Sequence, residues 1–453
     1  MKPNFIPARS IFITAIAASA AFILSADNLT AETPDAEGEE VFEYKVGTFN
    51  LITGEGANIG GFIFPKVFLN LAGGVFEPGT TAADLATNEH DPQNEAGIQA
   101  IEAHFKIDIN GVITGGVSGV GIQGEDQWEA ALEEAYLHYH FNDFVAVGGG
   151  QFLNAFGFQA DKHLHDWGFI NQNLVNSRIL NEGELITQGG EAIFNLPGLN
   201  SVATIGGGGV RTHAHDHGHG EEEFGHEDEH GHEEEIGGGH DEHEEEGHED
   251  EHGHEDEHGH EEEGEEHHIE ADDANFSAWV LTADWKTKLP FDESATFSAS
   301  LAAGENGFGR MTYAYGVGLE KIWGAHDHGN GPEFCTGAIM VRSEFIGRHI
   351  GVAEEDGERF DADDYGFSTS LSYGLSDLTT IAIRHDWVSE LEAFELEERH
   401  RISPALTTFL DKNQRIQARV QYDYNHSDSY GDEHTAWLQF QMQWGGQGGK
   451  HHH

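Results

Sequence analysis

The chain has 453 residues, with 82 acidic against 22 basic side chains, and its formal charge of −60 gives no basis for a nucleic-acid partner. Its length would fill about three ordinary soluble domains, but 59 Gly, 10 Pro and almost no helical periodicity point instead to one large all-β unit. Cys335 is the only cysteine, which excludes an intramolecular disulfide framework and an acylation cysteine after a leader.

In chain order, Lys2 and Arg9 precede an apolar run from Ile11 to Leu24, followed by small and polar residues around Ser25, Ala26 and Ala31. This is the pattern of a secretory signal peptide over 1–26, with cleavage after Ala26 or after Ala31. The run is shorter than the ~20 apolar residues of a spanning helix, and no later stretch reaches that length.

Beyond residue 58 the pattern changes to alternation. Ile101, Ala103, Phe105 and Ile107 alternate with Glu102, His104, Lys106 and Asp108. Ile416, Ala418, Val420, Tyr422 and Tyr424 alternate with Gln417, Arg419, Gln421 and Asp423, and Leu438, Phe440, Met442 and Trp444 with Gln439, Gln441 and Gln443. One face is lipid-like and the other wet over many long strands, which predicts an all-β transmembrane antiparallel β-barrel of about sixteen strands in a bacterial outer membrane. The expected strands are 60–72, 97–110, 111–123, 129–141, 143–156, 188–196, 200–210, 275–289, 294–305, 311–323, 335–349, 364–376, 378–389, 399–411, 414–425 and 434–445.

Short turns such as Asp108–Gly111, Leu196–Asn200 and Gly374–Asp377 alternate with longer connections, so the turns are assigned to the periplasm and the long loops to the outside. Residues 27–58 become an N-terminal periplasmic segment, 59–445 the barrel with long extracellular loops, and 446–453 a C-terminal tail. The connection Trp323–Glu333, carrying His326 and His328, is an exception, being periplasmic yet not short. A barrel of this size has room for an aqueous channel. Cys335 is expected as a small buried or lipid-facing strand residue.

The fourth outer loop, 211–270, is a low-complexity tract of His, Glu, Asp and Gly in which the octapeptide GHEDEHGH starts at Gly225, Gly247 and Gly253. It lacks an apolar set able to build a core and is expected to be disordered without a ligand. Its 27 acidic residues against one basic account for −26 of the −60. Its metal-ligand candidates are His213, His215, His217, His219, His226, His230, His232, His240, His243, His248, His252, His254, His258, His260, His267 and His268, half of the 32 histidines. Imidazole suits Zn²⁺, and equally Cu²⁺ or Ni²⁺. Without thiolates, many interchangeable His/Glu sites give modest affinity, high capacity and fast exchange.

VGGGQFLNAFG at Val147–Gly157, KHLHDW at Lys162–Trp167 and NEGELITQGGEAIFNLPGLN at Asn181–Asn200 resemble bacterial outer-membrane porins of the phosphate-selective type. They resemble more closely a related His-rich-loop group labelled zinc-regulated TonB-dependent outer-membrane receptors. The likeness is clearest over 60–200 and architectural beyond. It implies a porin fold, but the chain departs from both labels. TonB-dependent receptors carry a plug within a 22-stranded barrel; residues 27–58 are too few for a plug and show no TonB-binding segment, so TonB is not expected as a partner. An anion-selective lumen would be basic, against the acidic excess here. The tail GGQGGKHHH also replaces a terminal aromatic residue, and its histidines receive no role.

In many porins the third outer loop folds into the barrel. The corresponding loop here, 157–188, contains His163, His165 and Asp166 beside Trp167. Alternate histidines in an extended loop share a side, which makes these three a candidate constriction metal site; the competing reading has the histidines bonding the wall while Trp167 packs. Tyr136, His138 and His140 alternate with Leu137, Tyr139 and Phe141, so the histidines face the lumen and, with His104, suggest an inward imidazole track. Arg342, Glu344, Arg384 and Asp386 read as charged wall ladders.

No serine nucleophile elbow, HExxH helix or phosphate loop is present, so no enzyme is expected. The expectation is a passive porin-like channel for divalent metal cations, most readily zinc, fed by the external tract. The alternatives are a surface metal buffer anchored by a barrel, or TonB-dependent metal uptake. Partners are outer-membrane lipid and divalent ions, with monomer and homotrimer both open.

Overall fold

A computed structural model describes residues 57–124, 128–181, 183–211, 271–324, 334–353, 357–428 and 431–445. The signal, the N-terminal segment to residue 56, the tail, His326, His328 and the sixteen tract histidines lie outside them.

The strands are β1 Ile63–Phe76, β2 Ala96–Ile109, β3 Ile113–Gln123, β4 Trp128–His140, β5 Val145–Leu153, β6 Ile186–Leu196, β7 Ser201–Val210 and β8 Phe276–Leu289. They continue as β9 Asp292–Asn306, β10 Met311–Trp323, β11 Ile339–Ala353, β12 Arg359–Ser376, β13 Thr379–Val388, β14 Arg399–Phe409, β15 Ile416–Ser427 and β16 Gly431–Gly445. Each pairs antiparallel with its sequence neighbour, and β1 pairs with β16, through Val67 opposite Trp444 and Leu71 opposite Phe440, to close a sixteen-stranded barrel. Closure leaves no sheet edge, the condition for a β-structure to cross lipid. Among the described residues the only helices are one-turn and two-turn pieces, including α1 Ala82–Leu85 and α2 Leu174–Ile179.

The alternation places apolar side chains outward. Ile101, Phe105, Leu137, Leu281, Leu301, Leu371, Ile381 and Val420 are exposed on the outer face, where a charged side chain at the bilayer midplane costs ~2–4 kcal/mol. Their polar neighbours Glu102, Asp284, Arg384, Gln421 and Gln439 point inward. Strand length, closure and this apolar band make the chain an integral outer-membrane barrel.

Most expected bounds differ from the observed ones by a few residues, and the larger differences have local causes. β5 ends at Leu153 rather than at 156, because Asn154 Nδ2 donates to Leu185 O at 2.8 Å and to Thr187 Oγ1 at 2.8 Å, closing the ladder. β11 begins at Ile339 rather than at 335, because Gly337 adopts φ 81° and Ala338 N–H donates to Cys335 O at 2.9 Å in a turn. Cys335 is therefore buried in that turn, not on a strand. β12 starts earlier, at Arg359, because β11 pairs with it as far as Ala353 opposite Arg359.

The lumen is not an open tube. The third loop, 154–185, lies inside the barrel with its own apolar core: Phe156, Leu174, Val175, Ile179, Leu180 and Leu185 pack on Phe276, Val280, Ala314, Ile346 and Val388 of the wall. At ~1.5–3 kcal/mol per buried side chain, these six loop residues alone hold the loop by on the order of 10 kcal/mol as an upper bound. The first loop, 77–95, joins it, with Ala82, Ile170 and Trp437 in one cluster. Inward residues around the wall, among them Ser118, Thr282, Asp364, Ser403 and Gln439, are thereby buried. At the turn end an open cleft of about 550 Å³ is bordered by Lys288, Glu293, Glu320 and Trp323.

Candidate metal centre

Loop 154–185 is held by two sectors of the wall. On β11–β15 the holders carry fixed charge. Arg384 donates to Asn171 O at 2.9 Å, Asn171 Oδ1 at 2.8 Å and Gln172 O at 3.2 Å, pairs with Asp386 at 2.8 Å and lies over the Phe169 ring. Arg419 donates to Trp167 O at 2.8 Å, and Arg401 to Gln172 O at 3.3 Å and Leu85 O at 3.2 Å. Arg178 of α2 and Arg348 of β11 share Asp364 at 3.2 and 3.0 Å. The forked guanidinium suits such multiple acceptance. Glu344 accepts the Phe158 amide at 2.5 Å instead of joining a ladder with Arg342, which pairs with Glu320 at 2.6 Å. The lumen is thus not uniformly acidic: its arginines cluster on this sector, engaged by the loop and by carboxylates.

On β2–β4 the holders are imidazoles and carboxylates. The register of β3 on β4 slips between Ser118 and Gly119, so that Ser118 faces Glu134 while Gly119 faces Leu132. Glu133 is the extra residue of this β-bulge, and the bulge turns both Glu133 and Glu134 inward, whereas strict alternation would send one of them to lipid. His104 and Glu102 project from β2 to the same place. The loop supplies His163 and His165 from Lys162–Trp167, which forms a 3-10 turn over Leu164–Asp166 rather than the expected extended segment. The two imidazoles nonetheless stack, with an interplanar angle of 8° and centroids 5.8 Å apart.

His163 Nε2 lies 2.8 Å from Glu134 and its Nδ1 3.4 Å from Glu133, while His165 Nδ1 lies 2.9 Å from Glu102. The His104 ring centroid is 4.6 Å from those of both His163 and His165, and Phe68 stacks on His165 at 3.8 Å. One ligand atom each from Glu102, His104 and His163 falls within 4.8 Å of the other two, close enough for one ion. Two imidazoles and a carboxylate are a common Zn²⁺ donor set. Buried Nε2 of His104, Nδ1 of His163 and Oε2 of Glu133 make no hydrogen bond, which in a native interior calls for an ion or water. Burial works against the charged form of His163, but Glu133 and Glu134 outweigh it and raise its pKa well above the ordinary imidazole value.

The other expected residues are placed differently. Asp166 sits at the rim, 3.6 Å from His165 Nε2 and 39% exposed, outside the group of three. Trp167 is buried and its Nε1–H donates to Lys162 O at 3.1 Å, so the packing role of this residue coexists with the histidine cluster. His138 points inward and crosses Gly148, where a Cβ would meet its ring at 2.1 Å, to reach Glu191 at 2.6 Å. His140 bonds Thr114 Oγ1 at 2.8 Å. Neither joins His104, which turns instead towards the loop histidines, so His104, His138 and His140 do not form one track. Sequence reasoning missed His90, Glu133, Glu134 and Glu184. The consecutive glutamates in Leu132–Ala135, interrupting an otherwise alternating strand, were the available signal for the bulge.

No family model matches the chain, and neither does any curated protein sequence. Among solved structures it is similar to OmpF of Salmonella typhi, at 10% identity and a TM-score of 0.50 over 84% of this chain and 97% of that one. It is also similar to the outer membrane channel DcaP of Acinetobacter baumannii, at 9% identity and 0.49 over 84% and 97%. A third is OmpT of Vibrio cholerae in its trimer form, at 7% identity and 0.48 over 84% and 99%. The likeness to OmpF is one of fold: the chain has the sixteen-stranded barrel architecture of the outer-membrane porins.

Proposed function

We propose that the protein is a porin-like outer-membrane channel for divalent metal cations, zinc foremost, in which ions pass the constriction by exchange among His and Glu ligands. The observation that carries this reading is the convergence of Glu102, His104 and His163 between loop and wall, with His165 and Glu134 adjoining. A site that admits an ion must also release it, and His104 and His163 keep 15% and 12% of their side-chain surface exposed. Passage is passive and non-enzymatic on this reading, and the external tract raises the local ion concentration. The likeness of the Val147–Gly157 and Asn181–Asn200 segments to the zinc-regulated receptor group agrees with the cargo, while TonB coupling finds no segment to support it. Assembly as a homotrimer belongs to the same proposal.

A second reading, a metal-buffering surface protein anchored by its barrel, is favoured by the packed lumen, in which hydrated solutes meet buried side chains around the wall. Conduction through the purified full-length protein in planar bilayers separates the two. The channel reading predicts a zinc-sensitive current in which replacing His163 and His165 together by Ala reduces zinc block or flux about ten-fold or more and leaves potassium conductance nearly unchanged. A protein that never conducts, or a double variant matching the parent in zinc-dependent current, contradicts it.

A further inference from the structure

A second group of ligand atoms lies behind the first. His90, in the loop between β1 and β2, is fully buried, and its Nε2 lies 3.1 Å from Glu184, 3.5 Å from Glu89 and 3.5 Å from Glu133. Ligand atoms of Glu89, His90 and Glu184 fall within 4.8 Å of one another. Both ring nitrogens of His90 and both carboxylate oxygens of Glu184 are buried without a hydrogen-bond partner. No lysine or arginine pairs with Glu133 or Glu184 among the described residues, so the charge of these buried carboxylates is answered only by imidazole. Buried carboxylates left in that condition are costly unless a cation joins them.

The backbone presents these groups to one another. His90 N–H donates to Asn88 Oδ1 at 2.7 Å, and its carbonyl accepts from Gln99 Nε2 at 2.8 Å, which fixes the loop around it. Glu184 follows Gly183, whose φ of 96° turns the returning limb of the third loop. A Cβ at Gly183 would come within 3.0 Å of Asn88 and Gln172, so glycine permits the close approach of the two loops. Glu133 stands between the two groups, Oε1 towards His90 and Oε2 towards His163.

We propose that Glu89, His90 and Glu184, with Glu133 at the edge, form a second divalent-cation site that clasps the first loop to the returning limb of the third. One imidazole with carboxylates suits Zn²⁺ and comparable borderline cations. His90 and Glu184, at 0% and 5% exposed, are more deeply buried than His104 and His163 at 15% and 12%, and Glu89 at 10% is the one ligand near the surface, so this ion exchanges more slowly than the lumenal one. The clasp requires no conduction, and it stands even where the protein proves not to be a channel.

The test uses full-length protein stripped of metal, loaded with Zn²⁺ alone and then exposed briefly to a chelator, with retained zinc measured by elemental analysis. The wild type is expected to keep about one slowly released equivalent per chain. His90→Ala and the near-isosteric Glu184→Gln are each expected to release it about ten-fold faster or more, with the heat-modifiable barrel intact, while the His163→Ala/His165→Ala variant keeps it. A wild type with no slow class, or a Glu184→Gln protein that stays heat-modifiable and retains zinc as the wild type does, overturns the clasp. A wild type that never conducts while keeping the slow class would instead count against the channel alone.

Discussion

The two sectors that grip the third loop do so by different chemistry. On β11–β15, Arg384, Arg401 and Arg419 donate to loop carbonyls, and Asp386 balances Arg384. On β2–β4, the ion-pair partners of Glu102, Glu133 and Glu134 are histidines, while Asn70 and Ser118 donate neutral hydrogen bonds to Glu102 and Glu134. Guanidinium charge is fixed at all physiological pH, so the first grip is constant. Imidazole can be charged, neutral or metal-bound, so the second grip has three states. The same loop is therefore moored on one side and adjustable on the other, and its buried apolar residues keep it in the barrel while the adjustable side changes.

The contrast can be broken at its strong end first. Arg384→Ala leaves Asp386 buried without its cation and removes the bonds to Asn171 and Gln172. An uncompensated buried charge costs ~3–5 kcal/mol, so the loop should loosen, with raised ion conductance and new protease cleavage within 161–172. Replacing His163 and His165 should have a much smaller effect on cleavage; equal release by both changes would show that the sectors do not differ.

pH sharpens the distinction. Burial disfavours charge on His90, but Glu184, then Glu89 and Glu133, raise its pKa well above the usual imidazole value, and the same direction holds for His163. A raised folded-state pKa contributes stability that is fully present below the unfolded value near 6.5 and is lost as pH rises through the folded one. Metal-free protein should therefore lose hydrogen-exchange protection in the third loop as pH rises above that window, while zinc, replacing the proton, preserves it. Zinc binding at these two groups should weaken as pH falls through their raised folded-state values, because the imidazolium cannot ligate. Protection independent of both pH and zinc would leave the β2–β4 sector as fixed as the other.

Cation preference should be smaller in effect and salt-dependent, since the lumenal arginines are engaged and the remaining acidic groups are screened as ionic strength rises. Reversal potentials measure it, and clear anion preference would restore the phosphate-porin expectation. The smallest structural effect is expected from deleting Thr212–His268, because β7 and β8 pair directly, from Ser201 opposite Thr287 to Gly209 opposite Trp279. The barrel should remain heat-modifiable with its slow zinc class, and total zinc should fall; equal stoichiometry by calorimetry would remove the tract from the metal account.

The barrel was legible because a period of two, repeated over many strands, has one physical solution when one face is apolar. Of the candidate site, His163, His165 and His104 were legible as lumenal or loop imidazoles. Glu133 was not, because a bulge is a property of pairing between strands, and one extra residue reverses which side faces lipid. His90 and Glu184 meet only through the folding of two loops inside the barrel, a contact across 94 positions of sequence that no local pattern encodes. His138 was placed on the correct face but not with its partner, since its reach to Glu191 depends on the open space at Gly148.

Anomalous diffraction at the zinc edge, from crystals of the full-length protein soaked in Zn²⁺ after chelation, addresses the central claim directly. A peak among Glu102, His104 and His163 is predicted, joined by a second among Glu89, His90 and Glu184. Diffraction that resolves the third loop against the wall but shows zinc density at neither group would contradict the account.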